Sequence, residues 1–133
     1  AGRASDDDAD RIAYARDLWP RHQITTRSGV AAVAPPAVVV WPSSTDEVSA
    51  VLRYAHARSI PVVPFGAGSG VCGGVLPSED AIIVDTKRMR DVLTVDRDLR
   101  TATVQAGIIG QHLEDQLDAQ GFTLGHFPSS ISC

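Results

Sequence analysis

Residues 64–77 read Pro-Phe-Gly-Ala-Gly-Ser-Gly-Val-Cys-Gly-Gly-Val-Leu-Pro, and this stretch decides how the rest of the 133-residue chain is interpreted. Glycine occupies positions 66, 68, 70, 73 and 74. Because glycine reaches positive φ without a Cβ penalty, successive amides of such a loop can converge on an anion. The loop comes directly after a short apolar run at 62–64, and ligands of open sheets usually lie at the carboxyl ends of strands. The pattern predicts a site for a phosphate-bearing cofactor.

Competing designs for an anion-binding loop differ in the residues that come after the glycines. A P-loop requires Gly-Lys-Ser/Thr, but the only lysine, Lys87, stands far beyond them, which excludes that design. A Rossmann fingerprint matches the sequence better, since Asp85 ends the next apolar run, where a ribose-binding acid would stand. That fingerprint must open a helix, however, and Pro77 and two further glycines disfavour a helix here. The remaining alternatives are a loop that holds a pyrophosphate by its backbone alone and a turn-rich connector without a ligand.

The residues before the loop predict a β-α-β unit over 37–64. Residues 37–41 form a β-branched run typical of a strand buried on both faces. Residues 44–47 read Ser-Thr-Asp-Glu, a capping box that starts a helix. The helix carries an apolar stripe and ends near Ser59, and a short strand is expected at 62–64. We expect the two strands to pair in parallel through a right-handed crossover.

The remaining segments predict an α+β fold with a mixed sheet and flanking helices. A strand is expected at 81–85, and a hairpin at 92–95 and 101–105 with a five-residue loop. A helix carrying Ile109, Leu113 and Leu117 should be closed by Gly121 in the left-handed C′ position. Near the start, a helix is expected at 10–19, stopped by Pro20, and a loop at 22–36. The predicted organisation is a lead-in at 1–34 and a domain at 35–133.

Composition excludes several classes of function. Twelve basic and sixteen acidic residues give a net charge of −4, without the basic stripe of a nucleic-acid binder. No apolar run approaches the roughly 20 residues of a transmembrane helix, and the acidic start does not resemble a signal peptide, so the default location is cytoplasmic. Cys72 and Cys133 have no CxxC spacing and are expected to be free thiols. No metal site is predicted, because the histidines lack partners at metal spacing.

Several runs resemble one family. Residues 37–48 and 60–75 are similar to the FAD-binding PCMH-type domain of the vanillyl-alcohol oxidase / p-cresol methylhydroxylase superfamily. Residues 103–114 and the run Gly-Phe-Thr-Leu-Gly-His-Phe-Pro-Ser-Ser at 121–130 resemble the branch of alkylglycerone-phosphate synthase and its bacterial relatives. The resemblance extends from about residue 35 to the end and implies the N-terminal part of that domain.

The resemblance also implies the site. The amides of residues 66–70 would hold the pyrophosphate of FAD with the Ser69 hydroxyl, and two later glycines would complete the loop. A Gly-His-x-Pro-x-Ser segment would approach the flavin, although the family often has an acid where Ser129 stands. Members that tether flavin through this loop have a histidine about where Ser69 stands, so FAD is expected to be non-covalent. The implied cofactor-binding residues are Pro64, Phe65, Gly66, Ala67, Gly68, Ser69, Gly70, Gly73, Gly74, His126, Pro128, Ser129 and Ser130.

The activity implied by the resemblance is that of an FAD-linked oxidoreductase acting on a 2-hydroxy acid or alcohol. In the synthase branch an ether would instead replace an ester with no net redox change. A non-catalytic nucleotide- or phosphate-binding module is the alternative of another class. The expected partner is a small-molecule substrate, and a homodimer is left open. Catalytic residues are expected outside this chain, with a Ser/Thr-x-Gly-Gly segment, the rest of the domain and a substrate cap after Cys133.

Overall fold

The computed structural model describes residues 3–27 and 33–133, excluding the side chains of residues 23 and 26. These residues form two sheets and four helices. The first sheet has the order β1-β2-β4-β3, and β5 and β6 form the second. The strands are β1 Ala4–Ser5, β2 Val38–Val40, β3 Val62–Phe65, β4 Ile82–Asp85, β5 Val92–Asp96 and β6 Thr101–Val104. The helices are α1 Asp8–Ala13, α2 Pro20–Arg27, α3 Thr45–His56 and α4 Gly110–Asp118. The predicted α+β class is confirmed.

The central strand of the larger sheet is β4. It pairs in parallel with β2 on one side and with β3 on the other. The prediction that β2 and β3 pair with each other is therefore wrong, because β4 lies between them. Burial explains the order: every residue of β4 is buried, whereas β3 carries an exposed proline, Pro64. Proline cannot donate to a ladder and is confined mainly to edge strands, so β3 takes the edge.

The capping box predicted for α3 is confirmed with one difference in its partner. The Ser44 hydroxyl accepts a hydrogen bond from the Glu47 amide at 3.2 Å. The Glu47 carboxylate reaches back to the amide of Ser43, at 2.8 Å, rather than to that of Ser44. The helix ends at His56, and the turn after it, which contains Ser59 at φ 55, is closed by the Ile60 amide, which donates to the Ala55 carbonyl at 2.9 Å. Local residues therefore define both ends of α3.

Different side chains pack on the two faces of the larger sheet. On one face Ile82 and Val84 pack with Ala55 and the apolar side of α3. On the other face Val39, Ile83 and Phe65 form a buried cluster, against which Tyr14, Trp41, Val63 and Val75 pack. Alternate residues of a strand point to opposite faces, which separates these clusters. Tyr14, from the N-terminal segment, thus helps to cover the face away from α3.

The N-terminal segment departs from its prediction. The expected helix at 10–19 is wrong, because α1 ends at Ala13 and Pro20 begins α2 instead of stopping a helix. Proline suits a first helical position, where its missing N–H has no intrahelical partner. The loop expected at 22–36 is wrong for 22–27, which lie in α2, while residues 28–32 lie outside the described part. Strand β1, antiparallel to β2, was not predicted.

The C-terminal half agrees closely with its prediction. Strands β5 and β6 form the expected antiparallel hairpin, with a four-residue turn at 97–100 in place of a five-residue loop. After α4, Gly121 has φ 80 and donates to the Asp118 carbonyl, and the Phe122 amide donates to the Leu117 carbonyl. This pair of bonds is a Schellman closure with Gly121 at C′. Among the described residues, no helix combines the length and the apolar character needed to cross a bilayer.

Candidate functional site

The glycine-rich loop leaves the carboxyl end of β3 and stays irregular through residue 77. No helix opens after its glycines. A Rossmann fingerprint places its pyrophosphate at a helix N-terminus, so that interpretation is excluded. The loop must hold any anion by its own main chain and by the side chains around it.

The amides at the front of the loop are available to a ligand. Within the described residues, the N–H groups of Ala67, Gly68, Ser69 and Gly70 donate to no protein acceptor. Main-chain N–H groups are strong donors that normally find a partner, and a series of them in a turn makes an anion-binding concavity. The front of the loop therefore has the donor set that a pyrophosphate requires.

Gly68 sets the shape of this concavity. Its φ is +64, and a Cβ built on it would lie 2.6 Å from Cζ of Phe65. Phe65 cannot easily move away, because it is 6% exposed and its ring makes an edge contact with Tyr14 at 4.7 Å between centroids. The chain thus folds tightly over the Phe65 ring, which only glycine at position 68 allows.

A buried polar cluster lies at the carboxyl end of β4. The Asp85 carboxylate, which has no exposed area, accepts hydrogen bonds from the Tyr14 hydroxyl, from Lys87 Nζ at 2.9 Å and from the Lys87 amide at 2.8 Å. Trp41 Nε1 donates to the Tyr14 hydroxyl at 2.9 Å. Burial and then the hydrogen bond to Asp85 raise the pKa of Tyr14, so its hydroxyl stays protonated. These contacts fix the edge from which the loop departs.

Lys87 is the cation of this cluster. Partial burial lowers the pKa of its ammonium, but the hydrogen bond and charge of Asp85 outweigh burial, and the pKa lies above its usual value. Nζ lies 5.2 Å from the centroid of the Tyr14 ring and 5.5 Å from that of Phe65. The side chain is about half exposed. Lys87 therefore places an ammonium group, paired with the Asp85 carboxylate, beside the loop.

A cavity of about 610 Å³ lies between the N-terminal segment and the front of the loop. Three basic side chains, Arg16, Arg27 and Lys87, contribute to its wall together with Ala67, Gly68 and one carboxylate, that of Asp17. Basic side chains and main-chain amides favour a negatively charged group. The walls of this cavity fit the phosphates of a dinucleotide, so the residues present agree with the expected cofactor.

The structure brings together only part of the predicted set. The nine predicted residues between 64 and 74 lie together at the end of β3 and in the loop that follows it. The segment at 126–130 is attached to α4 instead: the Gln111 amide donates to the Ile131 carbonyl at 2.8 Å, and the Ile131 amide donates to the Pro128 carbonyl at 3.0 Å. No hydrogen bond joins this segment to the loop in the described part of the chain. The role of its residues stays a prediction: His126, Pro128, Ser129 and Ser130.

Sequence reasoning missed the side chains that surround the loop. Lys87 lies far from the glycines along the chain, and distance along the chain hid its proximity to them. A signal did exist in the sequence. Asp85 and Lys87 come at the carboxyl end of β4, which lies beside the carboxyl end of β3 in a parallel pair. Tyr14 and Asp17 carry no such signal. Tyr14 contacts β4 across 71 positions of the chain, and Asp17 contacts the loop across 56 positions.

The comparisons with known proteins agree with this geometry. The family model described as "FAD binding domain" matches residues 36–133. An alkyldihydroxyacetonephosphate synthase of Dictyostelium discoideum is 38% identical over 129 residues, which are 95% of this chain and 21% of that protein. The glycolate oxidase subunit GlcD of Bacillus subtilis (strain 168) is 32% identical over 126 residues, which are 95% of this chain and 25% of that protein.

The fold is also found in a solved structure. A p-cresol methylhydroxylase with bound substrate superposes with a TM-score of 0.71 at 17% identity, over 98% of this chain and 25% of the other. The chain spans a fifth to a quarter of the length of these proteins. The resemblance predicted from the sequence is confirmed, and with it FAD as the cofactor. This chain belongs to the FAD-binding domain family, within the PCMH-type fold.

Proposed function

We propose that this chain supplies the pyrophosphate-binding part of an FAD-linked oxidoreductase that acts on a 2-hydroxy acid or alcohol. The observation that carries the proposal is the set of amides at Ala67, Gly68, Ser69 and Gly70 that donate to no protein acceptor in the described residues. The similarity to a glycolate oxidase subunit supports the substrate class. The bound flavin would supply the electron-accepting chemistry, and this chain's residues would position it.

The test uses the full-length protein from the same gene. It should purify with flavin absorbance, or acquire it on addition of FAD. Under anaerobic conditions, a panel of 2-hydroxy acids and alcohols should include compounds that bleach the oxidised flavin band. A flavin-loaded protein that no member of the panel reduces would contradict the oxidoreductase proposal.

A synthase-like activity without net redox change is the second candidate. The observation that favours it is the 38% identity to an alkyldihydroxyacetonephosphate synthase, above the 32% to the glycolate oxidase subunit. This candidate predicts a yellow protein that replaces an ester by an ether while the flavin spectrum of the resting enzyme returns unchanged. Substrate turnover that requires an external electron acceptor would exclude it.

A non-catalytic nucleotide- or phosphate-binding module is the candidate of another class. It shares the same amides but requires no flavin. Full-length protein that purifies colourless and takes up no added FAD, while binding another phosphorylated nucleotide, would favour it over both enzymes.

We propose that FAD is held without a covalent bond through this loop. Ser69 is half-buried, and the family resemblance implies that relatives that tether their flavin carry a histidine at about this position. Acid precipitation of the full-length protein should therefore release flavin into the supernatant. Flavin that remains with the precipitated chain would contradict this proposal.

A cytoplasmic location and a homodimer are further proposals. Cys72 and Cys133 are both free and exposed, which is typical of proteins in a reducing compartment. Cell fractionation tests the location, and recovery with an organelle or membrane fraction would contradict it. Light scattering on the full-length protein tests the dimer, and a monomer mass would contradict it.

A further inference from the structure

Asp17 lies before the stretch that the family model matches, yet its carboxylate contacts the glycine-rich loop. Its side chain has no exposed area. Oδ2 accepts a hydrogen bond from the Gly73 amide at 2.8 Å, while Oδ1 accepts from the Trp19 amide at 2.9 Å and faces His22 Nδ1 at 3.1 Å. One buried acid thus joins the turn before α2 to the second half of the loop.

Two neighbours of Asp17 hold the same part of the loop. The Leu18 amide donates to the Gly70 carbonyl at 2.9 Å. The Trp19 ring lies against Gly73, since a Cβ built there would be 3.3 Å from two ring carbons. Residues 17–19 therefore contact the loop at two positions, Gly70 and Gly73. We call these three residues the loop clamp.

We propose that Asp17 is a positioning residue for FAD, which orients the amides of residues 67–70 by holding Gly73 in the second half of the loop. This inference rests on the proposed flavin site. A glycine-rich segment without an anchor populates many backbone conformations. Hydrogen bonds to an ionised carboxylate are roughly twice as strong as neutral ones. A loop released from the clamp would spend less time in the binding conformation, and its apparent Kd would rise by the reciprocal of that fraction.

Asp17→Asn isolates this effect. Asparagine keeps the shape of the side chain but has one acceptor oxygen, and its NH₂ group would face the Gly73 amide or the donors on the other side. The measurement is the Kd of FAD for the full-length apoprotein, by quenching of flavin fluorescence. The expected result is a Kd raised about tenfold or more, which corresponds to about 1.4 kcal/mol.

The matched control is Ser44→Ala, which removes the cap of α3 on the opposite face of the sheet. It destabilises the fold without touching the clamp, so its Kd for FAD should equal that of the wild type. If Asp17 had a merely structural role, Asp17→Asn would, like Ser44→Ala, keep the wild-type Kd for FAD. An Asp17→Asn protein that is folded and binds FAD as tightly as the wild type would overturn the inference. A wild type that binds no FAD would instead overturn the proposed flavin site.

A second measurement needs no variant. In wild-type full-length apoprotein, the Gly73 amide should exchange with deuterium more slowly than the amides of residues 67–70, because among these five amides Gly73 alone donates to an acceptor in the described part of the chain, the buried carboxylate of Asp17. Exchange at Gly73 that is as fast as at residues 67–70 would show that the clamp does not hold the loop, and would also overturn the inference.

Discussion

Replacing Gly68 by alanine should collapse the front of the loop. The left-handed conformation at φ +64 costs a residue with a side chain about 1–2 kcal/mol. The added methyl would also lie 2.6 Å from Cζ of Phe65, a contact that requires the ring to shift. Overpacking of this kind typically costs about 1–3 kcal/mol. Together these terms predict a loss of about 2–5 kcal/mol, a large fraction of the 5–15 kcal/mol that stabilises an ordinary domain.

Two assays on the full-length protein measure the effect. Urea denaturation of the apoprotein gives the change in the free energy of unfolding, and a FAD titration gives the change in Kd. Relaxation of the strain would move the amides of residues 67–70, so Gly68→Ala should weaken FAD binding as well as lower the urea midpoint.

Gly74→Ala is the matched control. Gly74 lies in the same loop, has no atom within 4 Å of a built Cβ and does not adopt positive φ. It should unfold at a urea midpoint within experimental error of the wild type. A wild-type midpoint for Gly68→Ala, or equal destabilisation of Gly74→Ala, would refute the role given to Gly68.

Three further predictions concern the surroundings of the loop. Tyr14→Phe should lower the free energy of unfolding by about 1–3 kcal/mol, because Trp41 Nε1 loses its acceptor and Asp85 loses a donor. Urea denaturation measures this loss, and an unchanged urea midpoint would contradict the prediction. Ser44→Ala should cost about 1 kcal/mol in the same assay, and a cost near zero would show that the cap bond is not formed in solution. Burial raises the pKa of Asp17, but hydrogen bonds from the Trp19 and Gly73 amides and from His22 outweigh it, and the pKa lies below its ordinary 3.8. The stability due to this shift is present above pH 3.8 and is lost as the pH falls through the pKa of Asp17 in the folded protein. The difference in urea midpoint between wild type and Asp17→Asn should therefore shrink below pH 3.8. A difference that stays constant with pH would contradict the stabilising role of the ionised Asp17.

Local patterns predicted the elements that local bonds define. The cap at Ser44 and the closure at Gly121 depend on residues within one turn, so their positions can be derived from the sequence. The irregular loop at 66–77 was predictable for the same reason, since its glycines and Pro77 disfavour a helix over that range.

Long-range contacts account for the features that could not be predicted. The order of the sheet depends on which strand is most deeply buried, and a parallel β-α-β pattern does not show that β4 will insert between β2 and β3. Pro20 is compatible with ending or beginning a helix, and the contacts of Asp17 with its neighbours favour the second. The clamp itself joins residues 56 positions apart, a pairing that no single-sequence period encodes.

Bare main-chain amides are proposed to hold the pyrophosphate of FAD. Hydrogen–deuterium exchange of the full-length protein, with and without FAD, tests this proposal at the residues concerned. The amides of Ala67, Gly68, Ser69 and Gly70, which have no acceptor in the described part of the chain, should become protected when FAD binds. FAD binding that leaves exchange at these four residues unchanged would contradict the proposed site.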